Sequence, residues 1–100
     1  MGVHVMAIYR PRDGQQAALE AEMVDHVPLL RRLQLATDTP SRVLRASDGT
    51  IIEHFEWRDH DAIAAAHEHP RVLEMWARYD ACCEYGTLAD LPNATAMFPE

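Results

Sequence analysis

The pair Asp48–Gly49 lies between two runs that read as strands, Ser41 to Ser47 (SRVLRAS) and Thr50 to Arg58 (TIIEHFEWR). Glycine takes positive φ without steric cost, so the pair suits the two-residue turn of an antiparallel hairpin. Such a turn fixes register: Ser47 is expected opposite Thr50, Ala46 opposite Ile51, Leu44 opposite Glu53 and Val43 opposite His54. Alternation then separates two faces. One carries Leu44, Ala46, Ile51, Phe55 and Trp57, with Arg42 diagonal to Glu53. The other carries Val43, Arg45, Ile52, His54 and Glu56, and neither is purely polar.

The flanking segments supply the rest of a fold. Val3 to Arg10 (VHVMAIYR) reads as a strand that stops at Pro11, and Pro11–Arg12–Asp13–Gly14 provides turn chemistry. From Gln15 to about Leu35, Leu19, Met23, Val27, Leu30 and Leu33 recur at helical intervals. Pro28 lacks a backbone donor and disfavours helical geometry at Val27, so a kink or restart is expected there. Asp59 suits the N-cap of a helix through Ala62 to His67, and Pro70 opens a second segment running to about Glu84, with Val72, Trp76, Tyr79 and Cys83 as its apolar stripe. Tyr85 to Leu88 is expected to close the sheet as a short strand, and Leu91–Pro92 to Phe98 to form a turn and a terminal anchor. The order β–α–β–β–α–β is the ferredoxin-like arrangement, α+β, with two helices on one face of a four-stranded antiparallel sheet.

A chain of 100 residues fits one domain, 1–100, and its 48% apolar and 25% charged residues are those of a globular chain. Nine Arg and no Lys stand against sixteen acidic residues, a net charge of −7. That sign argues against nucleic acid as a partner. No apolar run approaches the about 18 residues of a membrane span, and the first residues lack a signal-peptide pattern, so no membrane partner and a cytoplasmic location are expected. The only cysteines, Cys82 and Cys83, are neighbours whose side chains diverge on a helix, and they read as small buried hydrophobes. On the sheet's second face, Ile52 joins His4, Met6 and Ile8. Left in water, that face would form a large apolar patch, so a second copy of the chain is expected to cover it.

Ile51 to Trp57 (IIEHFEW), Ala65–Ala66–His67–Glu68–His69–Pro70 and Trp76 resemble the strand, acidic–aromatic end and Ala-His helix of the antibiotic biosynthesis monooxygenase-like proteins, small members of the dimeric α+β barrel superfamily. The resemblance covers nearly the whole chain. It implies a homodimer through the sheet face and a pocket between sheet and helices in each subunit. Its members include cofactor-independent oxygenases of polycyclic aromatics, haem-degrading enzymes, isomerases and proteins without known activity, so fold alone does not name a reaction. Haem-degrading relatives use an Asn on the first strand with a Trp and a His on the second helix. Here the first strand has no Asn, Ala66 stands near the place of the Trp and Trp76 near that of the His, which disfavours haem chemistry. The resemblance therefore implies a small-molecule-binding homodimer acting as a monooxygenase on an aromatic or polyketide-like metabolite, with no cofactor. The rival expectation is a non-catalytic dimeric binding or stress-related module.

Glu53 and His67 are the candidate catalytic groups. Glu53 is a carboxylate on an apolar face, where desolvation favours a general base; its plainer role is an ion pair with Arg42. His67 falls where a helix meets the sheet and can accept a phenolic proton, or can simply be a hydrogen-bonded structural histidine. Tyr9, Trp57, Trp76 and Tyr79 are the candidate substrate-binding residues, able to form a flat aromatic slot or plain core. His54 and Glu56 project to the opposite face and are expected at the dimer interface. His60, His67 and His69 with Asp59 and Asp61 carry the residue types of a metal site, but His67 and His69 are two apart and point to different sides of a helix, so no metal is expected.

Overall fold

The computed structural model describes residues 2–86. Its elements are β1 (Val3–Pro11), α1 (Gln16–Arg32), β2 (Arg42–Arg45), β3 (Ile51–Trp57), α2 (His60–Ala66), α3 (Pro70–Cys82) and β4 (Cys83–Gly86). The four strands form one antiparallel sheet in the order β2-β3-β1-β4. This is the ferredoxin-like order, with the single helix between β1 and β2 expected from the sequence and the second crossover divided into α2 and α3. Strand β3 alternates strictly between buried Ile51, Glu53, Phe55 and Trp57 and partly exposed Ile52, His54 and Glu56. In β1, Val3, Val5, Ala7 and Tyr9 pair with the buried set, whereas His4, Met6 and Ile8 pair with the other. The core thus lies between the odd-numbered face and the helices, where Leu19, Leu30, Val72, Met75 and Tyr79 are buried.

The hairpin corrects the sequence reading by one residue. Arg45 faces Ile51, Leu44 faces Ile52, Val43 faces Glu53 and Arg42 faces His54. The Ala46 amide donates to the Thr50 carbonyl at 2.8 Å and the Gly49 amide to the Ala46 carbonyl at 3.0 Å. The loop is therefore three residues, Ser47–Asp48–Gly49, a type I turn closed by a glycine at φ +92°. Asp48 Oδ1 accepts the Thr50 amide at 2.9 Å, an Asx turn that satisfies this donor in the longer loop. The slip exchanges the faces of β2: Val43 and Arg45 share the helix side with Glu53, and Leu44 lies outside with Ile52.

Helix α1 runs unbroken through Pro28, which is exposed, while Val27, Leu29 and Leu30 around it are buried. Packing of that stripe outweighs one lost backbone donor. The helix ends at Arg32 rather than near Leu35, and Gln34 follows at φ +61°. Asp59 caps α2, its Oδ1 accepting the Ala62 amide at 2.7 Å, and Pro70 occupies the first turn of α3. Strand β4 begins directly at Cys83, earlier than the expected Tyr85, because Cys83 has already turned to φ −150°, ψ 167°. The buried stripe of α3 is Val72, Met75, Tyr79 and Cys82. Both cysteines are free and buried, and burial pushes the Cys83 thiol up to about 11. The expected strand end at Leu88 and the anchor from Leu91 to Phe98 lie outside the described residues. No helix among those described is long and apolar enough to cross a membrane.

Candidate functional site

A cavity of about 540 Å³ separates the helix side of the sheet from α2 and α3, within the usual range for small-molecule sites. The strands contribute Val5, Tyr9, Phe55, Trp57 and Tyr85 to its wall, and the helices contribute His26, Ile63, His67, Trp76 and Asp80. The wall is mostly apolar and aromatic, interrupted by a few polar groups. Phe55 and Trp57 pack with ring centroids 5.2 Å apart, and His67 meets Trp76 edge-on at 5.0 Å.

Behind this wall lies a buried polar network. Glu53 is 1% exposed and His26 3% exposed. Tyr9 donates its hydroxyl to Glu53 Oε1 at 2.8 Å, and His26 Nδ1 lies 2.8 Å from the same oxygen. Trp76 Nε1 donates to His26 Nε2 at 3.3 Å. An indole nitrogen can only donate, so its contact assigns Nε2 as an acceptor and Nδ1 as the protonated nitrogen that donates to Glu53. Burial, and then the charge of Glu53, push the Tyr9 hydroxyl far above its ordinary value, so Tyr9 remains a donor. Tyr79 stacks on Tyr9 at 5.4 Å and is held by its own hydroxyl, which donates to the Glu22 carbonyl at 3.2 Å. The His26 ring meets Phe55 and Tyr79 nearly perpendicularly at 5.5 and 5.3 Å, which fixes its orientation.

Of the residues expected from sequence, Tyr9, Trp57, Trp76 and His67 line the cavity, whereas Tyr79 supports Tyr9 from behind. Glu53 is not in the wall. Its partners are Tyr9 and His26, and the one-residue slip of β2 sets Val43, rather than Leu44, opposite it and leaves Arg42 exposed on the far side. The plainer reading of Glu53 as the partner of Arg42 is therefore replaced by this buried network. His67 places Nδ1 2.8 Å from the Ile63 carbonyl, which assigns a proton to Nδ1. Asp59 is spent on the α2 cap, His69 accepts the Arg71 amide, and among the described residues no group of three or more acidic, His or Cys side chains is arranged to hold a metal. The residue missed was His26. Leu19, Met23, His26, Leu30 and Leu33 follow the 4-3-4-3 spacing of a buried stripe, and an imidazole on that stripe opposite a lone buried carboxylate was the available signal.

Solved structures share the fold of this chain. SnoaB, a cofactor-independent oxygenase from Streptomyces nogalater, superposes with a TM-score of 0.69 over 99% of this chain and 98% of that one, at 23% identity. A variant of SnoaB gives 0.70 over 93% and 98%, at 20% identity. These likenesses show the fold, a four-stranded antiparallel sheet covered by helices on one side. Rv0793 from Mycobacterium tuberculosis shares it, with a TM-score of 0.67 over 95% of this chain and all of its own, at 20% identity. No protein-family model matches the chain, and none of the curated proteins matches it significantly.

Proposed function

We propose that the chain binds a planar, hydroxylated aromatic metabolite in the cavity and oxygenates it without a cofactor, as a homodimer paired through the outer sheet face. The observation that carries this reading is the aromatic cavity itself: a solid core would have left only a structural role for Trp57 and Trp76. Tyr9, Trp57 and Trp76 offer ring faces to a flat ligand, and Tyr79 keeps Tyr9 in place. The fold shared with an oxygenase that uses no cofactor supports the chemistry.

Such a reaction starts by deprotonation, because an electron-rich phenolate transfers an electron to dioxygen far more readily than the neutral phenol. Recombination at a ring carbon gives a hydroperoxide, and loss of water leaves a quinone. One oxygen atom stays on carbon, and the other departs as water with the ring hydrogen and the phenolic hydrogen. The protein must supply an ordered binding slot and groups that move these protons. The wall offers two imidazoles from which that group can be drawn, His26 and His67, and Glu53 is hydrogen-bonded to His26.

Metal-free protein should bind hydroxynaphthalenes and hydroxyanthracenes with quenching of Trp57 and Trp76 fluorescence, and should then consume oxygen with no flavin or metal added. Ala77→Trp, which fills the cavity from an exposed position on α3, should abolish both signals while the fold persists. Quenching without oxygen uptake would leave a binding module; neither signal across a broad panel of quinols would remove the reading.

A further inference from the structure

We propose that His26 is the base that takes the phenolic proton, and that the Trp76 indole N–H receives the phenolate so formed. The inference rests on the preceding reading that a hydroxylated aromatic is the ligand, and it selects between the two imidazoles of the wall. His67 is exposed, and its Nδ1 proton is held by a main-chain carbonyl, a neutral partner. His26 is buried, and its Nδ1 proton is held by a carboxylate. When a proton arrives at Nε2, the imidazolium formed is compensated at once by Glu53, the arrangement that serves histidine bases paired with buried carboxylates.

The second observation is the spacing of the two nitrogens. His26 Nε2 and Trp76 Nε1 are 3.3 Å apart, long for a direct hydrogen bond. An oxygen entering from the cavity displaces this weak contact, with small rotations of the two rings, donating to Nε2 while it accepts from Nε1–H. On transfer, the phenolic O–H bond breaks with its electron pair remaining on oxygen, and an N–H bond forms at Nε2. The phenolate then accepts from both nitrogens, while a buried Glu53 carboxylate balances the imidazolium. No electron moves in this step, and oxygen enters only afterwards.

Tyr9 and Glu53 are positioning residues that act through His26. Glu53 fixes the tautomer that makes Nε2 the acceptor, and Tyr9 pins the carboxylate oxygen that does so. Because Tyr9, Phe55 and Tyr79 crowd the imidazole, the ring cannot turn its protonated edge toward the ligand. The network therefore holds toward the cavity an acceptor engaged only by the long Trp76 contact.

The test uses 1-naphthol under anaerobic conditions, where ionisation is separated from oxygenation. Bound to the native protein at neutral pH, the probe should show the red-shifted absorbance of naphtholate. His26→Gln should still bind it, as read by tryptophan quenching, but lower the ionised fraction of bound probe tenfold or more. Trp76→Phe should lower that fraction while leaving His26 in place, and His67→Gln should weaken binding without changing the ionised fraction. An ionised fraction lost in His67→Gln and kept in His26→Gln would overturn the assignment, as would bound probe that stays neutral in the native protein. Absence of any binding would instead sink the ligand reading on which the assignment depends. Should His26→Gln fail to fold, nitrogen-15 spectra of the native protein decide the matter: 1-naphthol should move His26 Nε2 from the unprotonated to the protonated range, and an unmoved resonance overturns the proposal.

Discussion

Tyr9, Tyr79 and Tyr85 are all the tyrosines of the chain, and each has its hydroxyl pushed above the ordinary value of 10.0, first by burial. Negative neighbours add to this: Glu53 for Tyr9 and Tyr79, and Asp80 for Tyr85. A raised folded-state value means that the folded chain holds these protons more tightly than the unfolded one. Their contribution to stability is complete below about pH 10 and is lost as pH rises through the folded-state values. Absorbance titration should therefore show almost no tyrosinate at pH 11 in the folded protein, with ionisation appearing together with alkaline unfolding. Three tyrosines titrating near pH 10 in a still-folded chain would contradict the buried network. The residue scale was also where the sequence was least legible. Glu53 stood out as a carboxylate on an apolar face, but its partner, His26, lies 27 positions away on another element, and a histidine among periodic leucines carries no mark of what it will face.

At the scale of elements the sequence was read with more success, for identifiable reasons. Alternation in β3, the Asp59 cap and Pro70 at the start of α3 are local signals, and the structure follows each of them. In β1 the alternation holds from Val3 to Ala7 and breaks at Ile8, which is buried although it was expected on the outer face with His4 and Met6. The hairpin register was missed because Asp48–Gly49 satisfies two loops equally well. The pair serves as a complete two-residue turn, or as the end of Ser47–Asp48–Gly49, in which glycine alone needs positive φ. Only the closure by Ala46 and Thr50 separates them, and that depends on how β2 meets β3. Gly49→Val tests the loop directly. A β-branched side chain at φ +92° is strained, and its Cβ would approach Gln16 Oε1 at 2.9 Å. Thermal unfolding should report a loss of about 1–3 kcal/mol; unchanged stability would mean that Gly49 does not hold this conformation.

Across the whole molecule, the sheet's outer face is the surface proposed to pair with a second copy. Met6 and Leu44 are 50% and 60% exposed there, with Ile52 between their strands. The slipped register strengthens this patch, since Leu44 replaces Arg45 opposite Ile52. Three polar groups on the face are already partnered: His54 and His4 are bonded at 3.1 Å, His4 reaches Glu56 Oε2 at 3.1 Å, and Glu56 Oε1 accepts the hydroxyls of Thr37 and Thr39 at 2.6 Å each. Those hydroxyls hold the Glu56 carboxyl below the usual carboxylate range. Burying a hydrogen-bonded set costs less than burying bare polar atoms, so this face can pack against a copy of itself. Paired by two-fold symmetry, each Ile52 would meet apolar surface from the partner, at about 25 cal/mol per Å² removed from water. Sedimentation of the native protein at micromolar concentration should accordingly give about twice the 11.3 kDa chain mass. Ile52→Glu should shift it toward the monomer, because the new carboxylate would be buried without a donor, a cost of several kcal/mol. Ile52→Val, which keeps the surface apolar, should leave the dimer intact. A native protein that sediments as a stable, soluble monomer would show that the outer face needs no second copy.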